Sequence, residues 1–359
     1  MKRIEYFFKN LLLKILILFN PISKEPTIPD FNNKSNLLFI RLNRIGDALV
    51  TTPLFYEIKK QLGCNIYVLA DRKNHFVFRN NPSIDEVIVF NKKLNDFLSF
   101  NKLLRERSID AVIDLHDDVS TTVSFLIALA KTRYKFGLKK SNYKIYSNTI
   151  DKLDPTKYHI IERIMKLSAL FKINVELNNI SVRYFPTGTE QKIADDQVIK
   201  MNPGKKYLIG INVSAGSEAR FWGVDNYKNV FEMLKNYDAR IIVLCSSKDL
   251  HYANLITSND NIYPVTDSFG IFASAILKLD FLITPDTSIV HIASIKRIPV
   301  FGLYVKYNTE DMIWRPYNCD FECVETKEAT LKNVALSEVK NKLVPFLENH
   351  LNVKRNPGL

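Results

Sequence analysis

The sequence predicts an α/β protein of two domains, each a mostly parallel sheet covered by helices. Three observations predict it. The chain has 359 residues, enough for two separate cores. Apolar runs of strand length alternate with amphipathic runs of helix length over most of the chain. One construction also occurs twice, as LLFIRLNRIGDALVTTP at 37–53 and as DFLITPDTSIVHIASIKRIP at 280–299: an apolar strand, a short polar turn, then a helix start. Such a turn brings backbone N–H groups and the positive end of a helix dipole to one point, which suits an anion. Two of them suggest two domains facing a shared cleft.

Taken in order, the first element is Met1–Asn20, MKRIEYFFKNLLLKILILFN. Lys9 and Lys14 interrupt its apolar run, so it is too short and too charged to span a bilayer. At helical spacing Ile4, Phe7, Phe8, Leu11, Leu12, Ile15, Leu18 and Phe19 share one face, and Lys2, Arg3, Glu5, Lys9, Asn10 and Lys14 the other. This is a basic amphipathic helix stopped by Asn20-Pro21. It either lies in the headgroups of an anionic membrane or packs on the protein's own surface. A linker rich in Pro, Ser, Asn and Lys follows, so residues 1–36 read as helix plus linker.

From Leu37 the alternation begins. Strands are expected at Leu37–Arg41, Asn65–Leu69, Glu86–Phe90 and Ala111–Leu115, and helices at Ala48–Leu62, Leu94–Arg105, Ser120–Ala130 and Tyr158–Phe171. Pro186–Pro203 reads as the junction, giving a first domain over 37–190. A second series over 204–335 has strands at Tyr207–Val213, Arg240–Cys245, Phe281–Thr284 and Pro299–Leu303. Its helices are expected near Tyr227–Tyr237, around Phe269–Leu277 and from Ser288. Residues 336–359 form a C-terminal helix, Leu336–Leu351, and a tail.

Composition narrows the functions. Apolar content of 46% and charged content of 25% are ordinary, whereas a formal charge of +12 favours an anionic partner, if it is more than lysine-rich solubility. Cys64 and Cys245 sit in or beside apolar strands, and Cys319 and Cys323 find no further ligands to complete a zinc site, a pattern that fits a reducing cytoplasm. No Walker A loop, G-x-G-x-x-G or G-x-S-x-G elbow occurs, which weakens ATPase, dehydrogenase and hydrolase readings. No strict D-x-D occurs either, which weakens metal-dependent sugar transfer. Helix-turn-helix, RNA-binding and zinc-finger signatures are missing, so nucleic acid is not the expected partner.

Three places carry candidate chemistry. Gly46-Asp47 follows the first strand, at the mouth where open α/β sheets bind ligands. Gly46 would let the backbone turn closely, and Asp47 either points into the cleft or caps the helix. In VSAGSEARFW at 213–222, Ser214, Ala215 and Gly216 could offer backbone N–H groups to phosphate, and Arg220 a planar cation. In TPDTSIVH at 284–291, Asp286, Thr287 and Ser288 stand at a helix start, with His291 one turn on, near the face of Thr287. Helix capping and a structural histidine are the plain alternatives there.

Together these segments resemble glycosyltransferase family 9, the lipopolysaccharide heptosyltransferases and their relatives. The resemblance covers roughly Leu37–Leu303. It rests on IRLNRIGDALVTTP at 40–53, NVSAGSEARFWGVDNY at 212–227 and DFLITPDTSIVHIASIKRIPVFGLY at 280–304, with weaker agreement in NPSIDEVIVF at 81–90 and KTRYKFGL at 131–138. It implies a GT-B fold, with an N-terminal acceptor domain and a C-terminal nucleotide-sugar domain. It also implies inverting transfer without a metal or other cofactor, with ADP-heptose as the usual donor and another nucleotide hexose as the alternative.

By position, the resemblance makes Asp47 the general base toward the acceptor, with Arg44 and Gly46 on the acceptor side. Arg220 takes the place of a basic residue that neutralises the donor diphosphate. Ser214, Ala215 and Gly216 line the phosphate loop, Asp286, Thr287, Ser288 and His291 meet sugar and diphosphate, and Asp249 is a candidate for the ribose. Such acid–base help is typically worth about 10²–10⁴-fold. The implied partners are the nucleotide sugar, an anionic lipid-linked oligosaccharide and the cytoplasmic face of the inner membrane. Ser288 stands where the family commonly has glycine, which bears on the donor. A silent, non-catalytic relative would be expected to have lost Asp47.

Overall fold

A computed structural model describes residues 27–202, 204 and 206–351, together with Leu11, Ile15 and Leu18. The helix expected over Met1–Asn20 lies outside the described residues apart from those three, which are helical and exposed. Among the described residues, no helix is long and apolar enough to cross a membrane. The chain divides into two units, Met1–Tyr184 and Phe185–Leu359.

In the first unit, β1 (Asn36–Arg41) is the central strand, and Leu37, Leu38, Phe39 and Ile40 on it are fully buried. Alternate residues serve opposite faces, as a pleated strand requires. Leu38 and Ile40 join the core with Phe100, Leu104, Val123, Leu126 and Ile127. Phe39 turns the other way, edge-on to Phe55 with ring centroids 5.2 Å apart. The sheet is parallel throughout and contains β1, β2 (Asn65–Asp71), β3 (Glu86–Phe90), β4 (Ala111–Asp114), β5 (Tyr134–Leu138) and β6 (Asn148–Ile150). Its order is β3-β2-β1-β4-β5-β6, so the winding reverses between β1 and β4. Loops at the carboxyl ends of those two strands therefore border the crevice where such sheets take ligands.

The helix expected over Ala48–Leu62 is two helices, α1 (Ile45–Leu49) and α2 (Thr52–Leu62). Pro53 lacks the N–H that would continue the first helix and suits the first turn of the second. The break satisfies its own carbonyls: Thr51 Oγ1 donates to Ala48 O and Thr52 Oγ1 to Leu49 O, each at 2.7 Å. Next come α3 (Leu94–Glu106) and α4 (Thr121–Leu129). α5 (Ile160–Met165) tightens into a 3₁₀ turn over Lys166–Phe171.

The second unit opens with α6 (Gly188–Met201), inside the stretch expected as a junction. Its start is a capping box: Thr187 Oγ1 accepts from Glu190 N, and Glu190 Oε2 accepts from Thr187 N. The parallel sheet contains β7 (Tyr207–Asn212), β8 (Ala239–Leu244), β9 (Phe281–Pro285), β10 (Val300–Val305) and β11 (Phe321–Thr326), in the order β11-β10-β9-β7-β8. Ile262 adds one isolated parallel bridge to Val243 of β8. Here the winding reverses between β7 and β9. The helices are α7 (Val224–Leu234), α8 (Leu250–Ile256), α9 (Phe269–Ile276), α10 (Ile289–Ile295) and α11 (Leu336–Leu351). In α11, Val339, Leu343, Leu347 and Leu351 form one buried stripe in the core that also holds Trp222, Tyr227 and Phe231. Two Rossmann-like α/β units in one chain match the GT-B type that the family resemblance implies.

Candidate active site

In the first unit, Asp47 is the third residue of α1 and 18% exposed. Arg44, exposed, is the residue at the N-cap, and no side chain caps that helix, so Asp47 is not spent on capping. Arg41 ends the apolar strand β1 as a buried cation. Its Nε donates to Asp47 O at 2.9 Å, its Nη2 to Asp47 Oδ1 at 3.1 Å, and its Nη1 to Leu115 O at 2.5 Å. Asn43 Nδ2 also donates to Oδ1, at 3.3 Å. These contacts fix the carboxylate through one oxygen. Burial pulls the Arg41 guanidinium below its usual pKa, and Asp47 is the largest influence opposing that. Gly46 lies within α1 and has no left-handed φ, so the tight turn expected of it is not what it provides. A helical turn needs only ordinary right-handed backbone.

Beside this lies a buried cluster that sequence reading missed. Asp114 closes β4, and its Oδ2 accepts from Lys140 Nζ and Tyr146 Oη, each at 2.6 Å. Its Oδ1 takes His116 Nδ1 at 2.7 Å and the His116 backbone N at 2.9 Å. The other ring nitrogen, Nε2, faces Leu42 N at 3.3 Å and accepts from it. That pattern places the ring proton on Nδ1. The end of β4 thus braces the loop leaving β1 at two points, through Leu115 O and through His116. The signal was there in Asp114-Leu115-His116-Asp117-Asp118, polar residues directly after an apolar strand.

In the second unit the candidates gather at the carboxyl ends of β7, β8 and β9. Asn212 closes β7. Its Oδ1 accepts from Ser214 N at 3.1 Å, and its Nδ2 donates to Ser214 O at 2.9 Å and Thr284 Oγ1 at 3.0 Å. Ser214 Oγ donates to Asp249 Oδ2 at 2.6 Å and accepts from Ser246 N at 2.7 Å. Ser246 Oγ donates to the same Asp249 oxygen at 2.7 Å. Asp249 therefore ties the loop after β7 to the loop after β8. The Ser214 N–H, expected to face phosphate, is instead turned to Asn212, because a short loop after a buried strand must satisfy its own polar groups. Ala215 is buried. Gly216 has φ +67° with open space around it, so the backbone there can approach a ligand closely.

Arg220, 36% exposed, meets Asp286: its Nη1 lies 3.1 Å from Asp286 Oδ2 and 3.2 Å from Asp286 O. Two candidates far apart in sequence are thus in direct contact. Ser288 occupies the N-cap of α10 without a side-chain capping bond. Thr287 Oγ1 lies 3.4 Å from Thr284 Oγ1 and 3.5 Å from Asn212 Nδ2. His291 is buried one turn on, its ring 6.2 Å from that of Trp314. Asn212, Thr284 and Ser246 also belong to this hydrogen-bond network, and sequence reading passed over them, since each is one polar group at or just beyond the end of a strand.

A sequence profile for glycosyltransferase family 9 (heptosyltransferase) matches residues 97–343. Over 342 residues the chain is 25% identical to a protein of Escherichia coli (strain K12) provisionally named lipopolysaccharide heptosyltransferase 4, covering 90% of this chain and 89% of that one. It is 22% identical over 294 residues to the lipopolysaccharide core heptosyltransferase OpsX of Haemophilus influenzae, covering 79% and 82%. Its fold is similar to the solved structure of E. coli ADP-heptose lps heptosyltransferase II, with a TM-score of 0.70 at 16% identity over 88% of this chain and 98% of that one.

Proposed function

The chain belongs to glycosyltransferase family 9, and from that premise we propose that it moves heptose from ADP-heptose onto a lipopolysaccharide or lipooligosaccharide core acceptor, with inversion and without a metal ion. The observation that carries the reading is the placement of Asp47 at the carboxyl end of β1, where Arg41 and Asn43 hold Oδ1.

In this reading Asp47 Oδ2 takes the proton of an acceptor hydroxyl. The acceptor oxygen bonds to the anomeric carbon from the face opposite the nucleotide, and the bond to the diphosphate oxygen breaks. The diphosphate leaves with the electron pair and the anomeric centre inverts. Arg220 would neutralise the leaving diphosphate, which then competes with Asp286 for the guanidinium and frees that carboxylate for sugar hydroxyls. Gly216 and Ala215 border the phosphates, Thr287, Ser288 and His291 lie toward the sugar, and Asp249 toward the ribose. Arg44 and Gly46 lie on the acceptor side.

We place the enzyme on the cytoplasmic face of the inner membrane, where such an acceptor would be presented. The charge of +12 and the basic N-terminal segment suit that anionic surface. The test is calorimetry of the full chain with ADP-heptose, UDP-glucose and GDP-mannose in EDTA. Micromolar binding of ADP-heptose alone is the expected result. Preference for another nucleotide sugar would move the donor, and binding that needs an added divalent metal would overturn the metal-free mechanism.

A further inference from the structure

Leu94 and Leu98, each 72% exposed, stand one turn apart at the start of α3. The helix does not need them for its own docking. Phe100 and Leu104 are buried on the opposite side, and Phe97 meets Phe90 edge-on at 5.1 Å. At 100° per residue, Leu94, Leu98, Lys102 and Arg105 fall within roughly an 80° arc. Lys92 and Lys93 precede them. Over residues 91–105 these four cations stand against one acid, Asp96. Its carboxylate is turned back to the helix start, where Oδ2 accepts from Asn91 N at 2.9 Å and Lys93 N at 3.1 Å. Lys92 also reaches Asp71 at 2.6 Å and Lys102 reaches Glu106 at 3.6 Å, yet Lys92 and Lys102 both remain exposed.

We propose that this tip of α3 is a contact surface for an anionic lipid bilayer, with Leu94 and Leu98 entering the headgroup boundary and the flanking lysines and Arg105 meeting lipid phosphates. Two adjacent leucines are far too little for a stable protein interface, which buries about 1,200–2,000 Å². An apolar tip ringed by cations is instead the composition that binds an anionic interface. The position adds a consequence. The first residues of α3 follow β3, so they lie at the carboxyl edge of the sheet, the edge that also carries Asp47. β3 is two strands from β1, about 10 Å across the sheet. A bilayer against this tip would hold a lipid-linked acceptor near that edge. Only this last consequence rests on the proposed function.

The test uses the full chain with vesicles of phosphatidylcholine alone or mixed with phosphatidylglycerol. Amide hydrogen exchange should slow over residues 91–99 on the mixed vesicles. L94S/L98S should partition onto them about tenfold or more weakly. Leu255→Ser, at a residue 60% exposed on the second unit, should change nothing. These positions are exposed, so the variants keep the fold. The proposal is overturned if residues 91–99 stay unprotected while the chain sediments with vesicles. It is also overturned if the chain fails to sediment, or if the same protection develops without lipid at high protein concentration, which would mark self-association. Protection on anionic vesicles without any sugar transfer would support this surface and count against the proposed function.

Discussion

His116 and Asp114 show what single residues contribute to the site. Burial alone would raise the Asp114 pKa, but Lys140 and His116 more than reverse this and hold it well below the usual carboxylate range. For His116 burial dominates and lowers its pKa from 6.5, although Asp114 pulls the other way. Neutral His116 can accept from Leu42 N, and a protonated ring cannot. The sign follows from linkage: a histidine with a lowered folded pKa binds fewer protons when folded than when unfolded. Its contribution to stability is complete above pH 6.5 and is lost as pH falls toward the folded value. Urea unfolding should therefore show stability dropping from pH 7 to pH 5. In His116→Asn, which can still donate to Asp114 but cannot titrate, the slope in that window should be shallower. An identical slope would remove His116 as the titrating group. The polar run Asp114–Asp118 was visible in the sequence, but its bracing was not, because the partners Leu42, Lys140 and Tyr146 come together only through the order of strands.

Among the elements, periodicity carried the reading where one face is buried. Glu86–Phe90 and Leu336–Leu351 fall where the sequence places them, the first as a short apolar run of strand length and the second through a buried stripe at helical spacing. β5, β6 and β11 escaped because their apolar signal is broken: Tyr134–Leu138 contains a buried lysine, Lys135, and a glycine. α6 was hidden for a different reason. It buries only Ala194, so it looks like a linker unless the Thr187–Glu190 capping box is given weight. Glycines inside strands mark close packing that hydrophobicity does not reveal. On β10, a Cβ added at Gly302 would collide with the buried Tyr304 ring. Gly302→Ala should destabilise the second unit by about 1–3 kcal/mol, the usual range for overpacking. Thermal unfolding would check this, and an unchanged Tm would mean that the ring can move aside.

For the whole molecule, fold and family were legible because each of the two units carries one of the two strand-turn-helix segments. The end of β1 and the end of β9 each border the point where a sheet reverses its winding. Asp47 and the Arg220–Asp286 pair lie at those ends for the same topological reason. What the sequence left hidden is how each site is braced: Arg41 behind Asp47, and Asn212 with Asp249 behind the loop at 213–217. The division of labour proposed between the units makes a separable claim, since Asp47 belongs to one unit and the donor groups to the other. The most direct measurement is therefore Asp47→Ala in parallel assays of sugar transfer and ADP-heptose binding. The account predicts that kcat falls by about 10²–10⁴-fold while donor affinity stays within about twofold of the unaltered protein. Undiminished turnover, or a fall explained wholly by lost donor binding, would contradict it.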